Sequence, residues 1–245
     1  MNKKIYLEKV NALEMKYINQ KSVPLLLFWT AWSISLYAKY TVNPLLDNLV
    51  VVLCPILLMW DYNLRQGKEE VLYYAFTLCL LGDIMVMFQP IYYFVSGLTA
   101  YWGACILFLF SVLKEFKPSF KAVVLENKWI VWPIMIYLIY FSLVMKTLYA
   151  YYGDLFIPVS IYAITLSITC AISVCAYLKY RTRSTLFLCW AFILLSIAGT
   201  IIGFNKFYFT DPRLRFFETF FYGGTLFLLQ RYFILKNDST TSTTP

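Results

Sequence analysis

The stretch Leu80 to Phe108, LLGDIMVMFQPIYYFVSGLTAYWGACILF, decides the fold class. Two runs that otherwise read as hydrocarbon flank the short break QPIYY. Pro90 cannot continue a helix, so the two runs form a helical hairpin. A single carboxylate, Asp83, stands inside the first run. A charged side chain at the bilayer centre costs about 2.5–3.5 kcal/mol on insertion scales, so such a residue is accommodated by a partner, a proton or a cavity.

Outward from this hairpin the same composition continues. Of 245 residues, 61% are hydrophobic and 14% charged, against about 25% charged in soluble domains. This is an integral membrane protein by composition. Aromatic residues make up 20%, and many belong at helix ends, at headgroup level. Eight segments have the length of a membrane-spanning helix, about 17–25 residues: 22–38, 44–60, 71–88, 92–113, 129–145, 155–178, 184–204 and 216–235. The expected fold is all-α, a polytopic bundle of eight transmembrane helices forming one membrane domain over 22–235. Residues 1–21, with five lysines and four scattered apolar positions, read as a cytoplasmic juxtamembrane segment held near anionic lipid. Residues 236–245 read as a disordered polar tail.

The net charge of +8 follows the positive-inside bias. With the amino terminus in the cytoplasm, sixteen of the 21 lysines and arginines fall inside and five outside. The five are Lys39, Lys146, Lys206, Arg213 and Arg215. Both termini are therefore expected in the cytoplasm, and the short loops suit a bacterial inner membrane. Nucleic acid would need a basic face interleaved with stacking aromatics, and none is expected as a partner.

The chain has no histidine, which excludes Ser-His and Cys-His catalysis. Its six cysteines lie in apolar segments without a CxxC spacing. They read as small buried hydrophobes, so neither a metal site nor a cofactor is expected. Asp83 keeps two readings: a packing polar that accepts hydrogen bonds from a neighbouring helix, or a functional acid. Gly82 beside it lets a neighbouring helix approach closely, and the Gly223–Gly224 pair permits close packing or a bend. Asp47, Asp154, Asp211 and Glu218 fall on the same side as Asp83. They are candidates to approach the mouth of a cavity, or plain interfacial charges. Arg213, Arg215 and Lys206 could receive a lipid phosphate, or simply flank helix ends.

The hairpin resembles the core of the YhhN family, eight-span membrane proteins that include the lysoplasmalogenases. The family pattern there is a Gly-Asp pair, a loop, a Gly-Leu step, a small-aromatic pair and a histidine. Gly82, Asp83, Gly97, Leu98, Ala100 and Tyr101 fit in order, and Cys105 stands at the histidine position. NPLLDNL resembles a Lys-Pro-Leu motif, with Asn43 in place of the lysine. NKF at 205–207 and TLFLLQ at 225–230 fit the end of the seventh helix and the last helix.

The resemblance implies vinyl-ether hydrolysis of a lysoplasmalogen to a fatty aldehyde and a glycerophospho-base, catalysed by two intramembrane aspartates. Asp83 matches one of them and is the expected catalytic residue. The other belongs to a Ser-Asp pair that falls on Ala198 and Gly199, at a depth similar to that of Asp83. The expectation is a YhhN-like protein whose cavity takes a single-chain membrane lipid such as a lysophospholipid, as an ether hydrolase of reduced or lost activity. The alternatives are a non-catalytic lipid binder or sensor, and a proton-coupled carrier titrating at Asp83.

Overall fold

The structure, a computed structural model, describes residues 3–65, 67, 69–88, 91–116, 120 and 128–241. Among the described residues all regular structure is helical. The helices are α1 Lys3–Tyr40, α2 Pro44–Val51, α3 Leu53–Leu64, α4 Glu70–Val86 and α5 Ile91–Leu113. They continue with α6 Val131–Tyr152, α7 Phe156–Tyr180, α8 Arg183–Phe207 and α9 Leu214–Thr241. Gln89, Pro90 and, in the basic run 114–121, residues 117–119 and 121 lie outside the described residues.

One expected helix is two. The segment 44–60 breaks at Val52 into α2 and α3. Pro55 explains the position: it has no N–H to give Val51, four residues back, and its ring crowds that carbonyl. Pro24 lies inside α1, whereas two other prolines are placed where they cost little. Pro133 and Pro158 lie in the first turns of α6 and α7, where N–H groups have no intrahelical partner. Between α6 and α7 the chain reverses at Gly153, with φ 50° and ψ −131°, a conformation open only to glycine. The turn between α7 and α8 is equally short. Arg181 adopts the left-handed conformation and donates its N–H to Tyr177 O at 2.9 Å. Thr182 and Thr185 then form a reciprocal cap on α8.

Seven neighbouring contacts close a ring: α1 on α3, α3 on α4, α4 on α5, α5 on α7, α7 on α8, α8 on α9, and α9 back on α1. α6 packs outside the ring against α7 and α8. The interior holds Phe28, Leu58, Phe76, Phe192 and Phe233, all fully buried. The outside is apolar too: Leu26, Ile136, Leu143 and Ile157 are each at least 60% exposed. Soluble proteins rarely expose apolar patches beyond a few hundred Å², so this surface fits lipid.

Among the described residues, four stretches are long and apolar enough to cross a bilayer: Leu45–Leu64, Tyr92–Leu113, Val131–Tyr180 and Arg183–Phe207. The third has 50 residues, about 75 Å if straight at 1.5 Å per residue, against a hydrocarbon core of about 30 Å. It folds double at Gly153 into α6 and α7.

The bundle has two chemically different ends. At one end Asp61 is wholly buried; Arg65 Nε donates to its Oδ2 at 2.9 Å and Gln230 Nε2 at 2.6 Å. Gln230 Nε2 also donates to Leu58 O, at 3.1 Å. Nearby, Tyr232 donates to Glu115 at 2.6 Å, and Lys236 pairs with Glu115 at 2.9 Å and with Glu69 at 3.5 Å. This cluster ties α3, α5 and α9 together. The other end, which holds Asp83, is open.

Candidate functional site

The site begins with missing methyl groups. A Cβ on Gly82 would lie 2.7 Å from the ring of Tyr101, and one on Gly97 would lie 3.1 Å from Gly82 O. The two glycines let α4 and α5 approach closely and leave the Tyr101 ring flat against α4. That placement brings the Tyr101 hydroxyl to Asp83 Oδ1, to which it donates at 2.5 Å. From α9, Tyr222 donates to Asp83 Oδ2 at 3.3 Å. The two rings stand edge to face, 6.2 Å apart. Asp83 is thus held by two hydroxyls from two other helices, as the packing reading required. It also borders a void.

A cavity of about 720 Å³ opens beside it, inside the range of about 300–1,000 Å³ typical of ligand sites. Its walls come from α1, α2, α4, α5, α7, α8 and α9. Ala198 and Gly199 line it. The position of the family's second aspartate therefore faces the same space as Asp83, and in this chain it is bare. A Cβ on Gly199 would meet only Leu166 Cδ2, at 3.5 Å. Cys105 is different: it is buried one turn below Tyr101 with Sγ 3.5 Å from Thr169 Oγ1. All six cysteines are buried and free. Among the described residues no three His, Cys, Asp or Glu side chains are grouped to hold a metal ion.

Of the four other acids on this side, two reach the cavity and two do not. Asp47 lines it, locked by Lys39 Nζ at 2.7 Å and by the Ser35 hydroxyl at 3.0 Å. Glu218 lines it from α9 and makes no hydrogen bond or ion pair with a described residue. Asp211 turns outward and pairs with Arg213 at 3.1 Å; the hydrogen bonds from Arg213 hold its carboxyl below the usual range. Asp154 sits in the exposed turn after α6. Among the cations, Lys206 and Arg215 line the cavity and face Glu218, without a closed ion pair among the described residues, whereas Arg213 does not line it. Lys206 Nζ lies 3.6 Å from the centre of the Phe94 ring, a cation–π contact.

The looser sequence motifs acquire reasons here. Asn43 accepts the Leu46 N–H at 3.2 Å and caps α2, with Pro44 at the first helical position. Asn205 accepts the Asp211 N–H at 2.9 Å and pins the α8–α9 loop over the mouth. Thr225 donates to Ala191 O on α8 at 3.2 Å. Tyr222 and the Lys39–Asp47 pair were not foreseen. Tyr222 shares a face of α9 with Glu218, four residues away, and that spacing was the available signal.

The fold and site define a helical membrane-type protein with a cavity at one end and an acid in its wall. A family model described as the YhhN family matches residues 44–231. The chain belongs to the YhhN family. No curated protein and no solved structure matches it.

Proposed function

We propose that the cavity takes a single-chain phospholipid and that Asp83 protonates a vinyl ether in it, as a lysoplasmalogenase-type ether hydrolase. In this reading the eight rods cross the membrane with both termini in the cytoplasm of a bacterial inner membrane, and the cavity opens outward. The carrying observation is the cavity itself, which joins a hydrogen-bonded acid, Asp83, to two cations, Lys206 and Arg215. Lys206 and Arg215 receive the phosphate, the guanidinium bidentately. The chain of the lipid leaves toward the apolar surface, and its first double bond comes to rest against Asp83.

The chemistry follows from the substrate. Asp83 gives a proton to the outer carbon of the C=C–O unit, and the electrons of the double bond form the new C–H bond. The inner carbon becomes an oxocarbenium. Water adds to it, a proton is lost, and the hemiacetal collapses to aldehyde and alcohol. Tyr101, through its shorter bond, fixes Oδ1, so Oδ2 is the oxygen that transfers the proton. After transfer the two tyrosine hydroxyls stabilise the carboxylate, a preorganised arrangement.

The bare Ala198–Gly199 wall favours a second reading, a lipid binder without turnover. The test offers purified full-length protein a 1-alkenyl lysophosphoethanolamine and follows fatty aldehyde. Release that disappears in Asp83→Asn supports hydrolysis. Bound lipid without release supports the binder, and proton flux driven by substrate in proteoliposomes would point to a carrier instead.

A further inference from the structure

We infer that Glu218 is the second catalytic carboxylate of this chain, supplied from α9 in place of a group on α8; the inference rests on the hydrolytic reading above. The chemistry needs a proton acceptor distinct from Asp83. Water attacks the carbon next to the one just protonated, and Asp83 is at that moment occupied by two tyrosine hydroxyls. The α8 wall at Ala198–Gly199 offers no acceptor, although it faces the cavity.

Two other acids line the same space. Asp47 is already taken by Lys39 and Ser35. Glu218 makes no hydrogen bond or ion pair with a described residue, and its carboxylate faces Lys39, Arg215 and Lys206. It lies four residues before Tyr222 on one face of α9, one turn or about 6 Å of rise toward the mouth. The Tyr222 hydroxyl touches Asp83, so this turn of α9 carries Glu218 just above the acid. The water that adds to the oxocarbenium loses its proton to Glu218. Glu218 then passes that proton to the glycerol oxygen as the hemiacetal C–O bond breaks. The hemiacetal hydroxyl proton returns to Asp83, so the cycle closes with one water consumed.

The test measures aldehyde release and, separately, binding of a saturated lysophosphoethanolamine that cannot be cleaved. Glu218→Gln is expected to lower kcat by about 10²–10⁴, the usual range for a general acid–base, with lipid binding no weaker than in the parent, because the change is isosteric and removes a negative charge that faces Lys206 and Arg215. Gly199→Asp in the Glu218→Gln background is expected to recover at least part of the loss, because the cavity has room for a side chain there. Asp211→Asn, whose carboxylate points outward, serves as the unaffected control. An active parent with an unaffected Glu218→Gln overturns this inference alone. A loss confined to KM overturns it as well and makes Glu218 a headgroup contact. A parent that releases no aldehyde overturns both this and the hydrolytic reading.

Discussion

At the scale of single residues, the site depends on atoms that are missing. Gly82 is next to Asp83 in sequence, but its service is to Tyr101. A methyl group there would occupy the space of the tyrosine ring. Gly82→Ala therefore shifts the ring and with it the hydroxyl that holds Asp83 Oδ1. Tyr101→Phe removes only the hydroxyl. A hydrogen bond to a charged group contributes about 1.5–3 kcal/mol, so Tyr101→Phe should lower turnover roughly ten- to 150-fold without loss of fold. Gly82→Ala should lower turnover at least as much, and should also destabilise by about 1–3 kcal/mol through overpacking. Aldehyde release and thermal unfolding in detergent separate the two effects. Equal melting temperatures for Gly82→Ala and the parent would show that the ring gives way freely.

At the scale of elements, α9 is the organising helix. It packs on α1, α3 and α8, carries Tyr222, Thr225 and Gln230 into three different contacts and sets Glu218 in the cavity wall. Its approach to α1 depends on Gly223, where a Cβ would lie 2.2 Å from Trp32 Nε1. Trp32 Nε1 donates to Thr219 O at 3.2 Å, one turn away. The glycine pair is thus a packing device, one of the two roles its sequence allowed. Gly223→Ala should cost about 1–3 kcal/mol by overpacking, and Trp32→Ala in the same chain should return part of it, because the two residues share one space. The double-mutant cycle, read by thermal unfolding, checks this. Strictly additive losses would mean that the indole and the glycine are independent.

At the scale of the whole molecule, the two ends divide the work. The cluster around Asp61 closes one end, and the cavity opens at the other. Arg65→Leu leaves the wholly buried Asp61 carboxylate without its ionic partner, and breaking such a pair costs about 3–5 kcal/mol. The expected result is a lower melting temperature with lipid binding per folded molecule unchanged. The net worth of the intact cluster is smaller, since Asp61 Oδ1 and Gln230 Oε1 are buried without a partner among the described residues. Topology has its own test. Cysteines introduced at positions 213 and 68 in a cysteine-free background should be labelled by an impermeant reagent from opposite faces, 213 from outside. Labelling of both from one face would remove the eight-crossing arrangement.

Composition alone determined that this chain is helical and suited to lipid, because a bilayer leaves no other partner for so many apolar residues and for the backbone. The same arithmetic located the helical rods, their approximate ends and Asp83 as an acid with no place in hydrocarbon. Rise per residue also put Ala198–Gly199 level with Asp83, and all three residues line one cavity. Position along a rod is a one-dimensional quantity, and sequence carries it. What only the tertiary structure decided is which way each rod turns and which rods meet. That rotation brought Tyr222 to Asp83, gave Asp47 to Lys39, left Glu218 without a hydrogen bond or ion pair among the described residues, and turned Asp211 and Asp154 away from the void. These outcomes depend on close approaches at Gly82, Gly97 and Gly223, where a fraction of an ångström sets the neighbour, and no pattern of residue types specifies distances of that size.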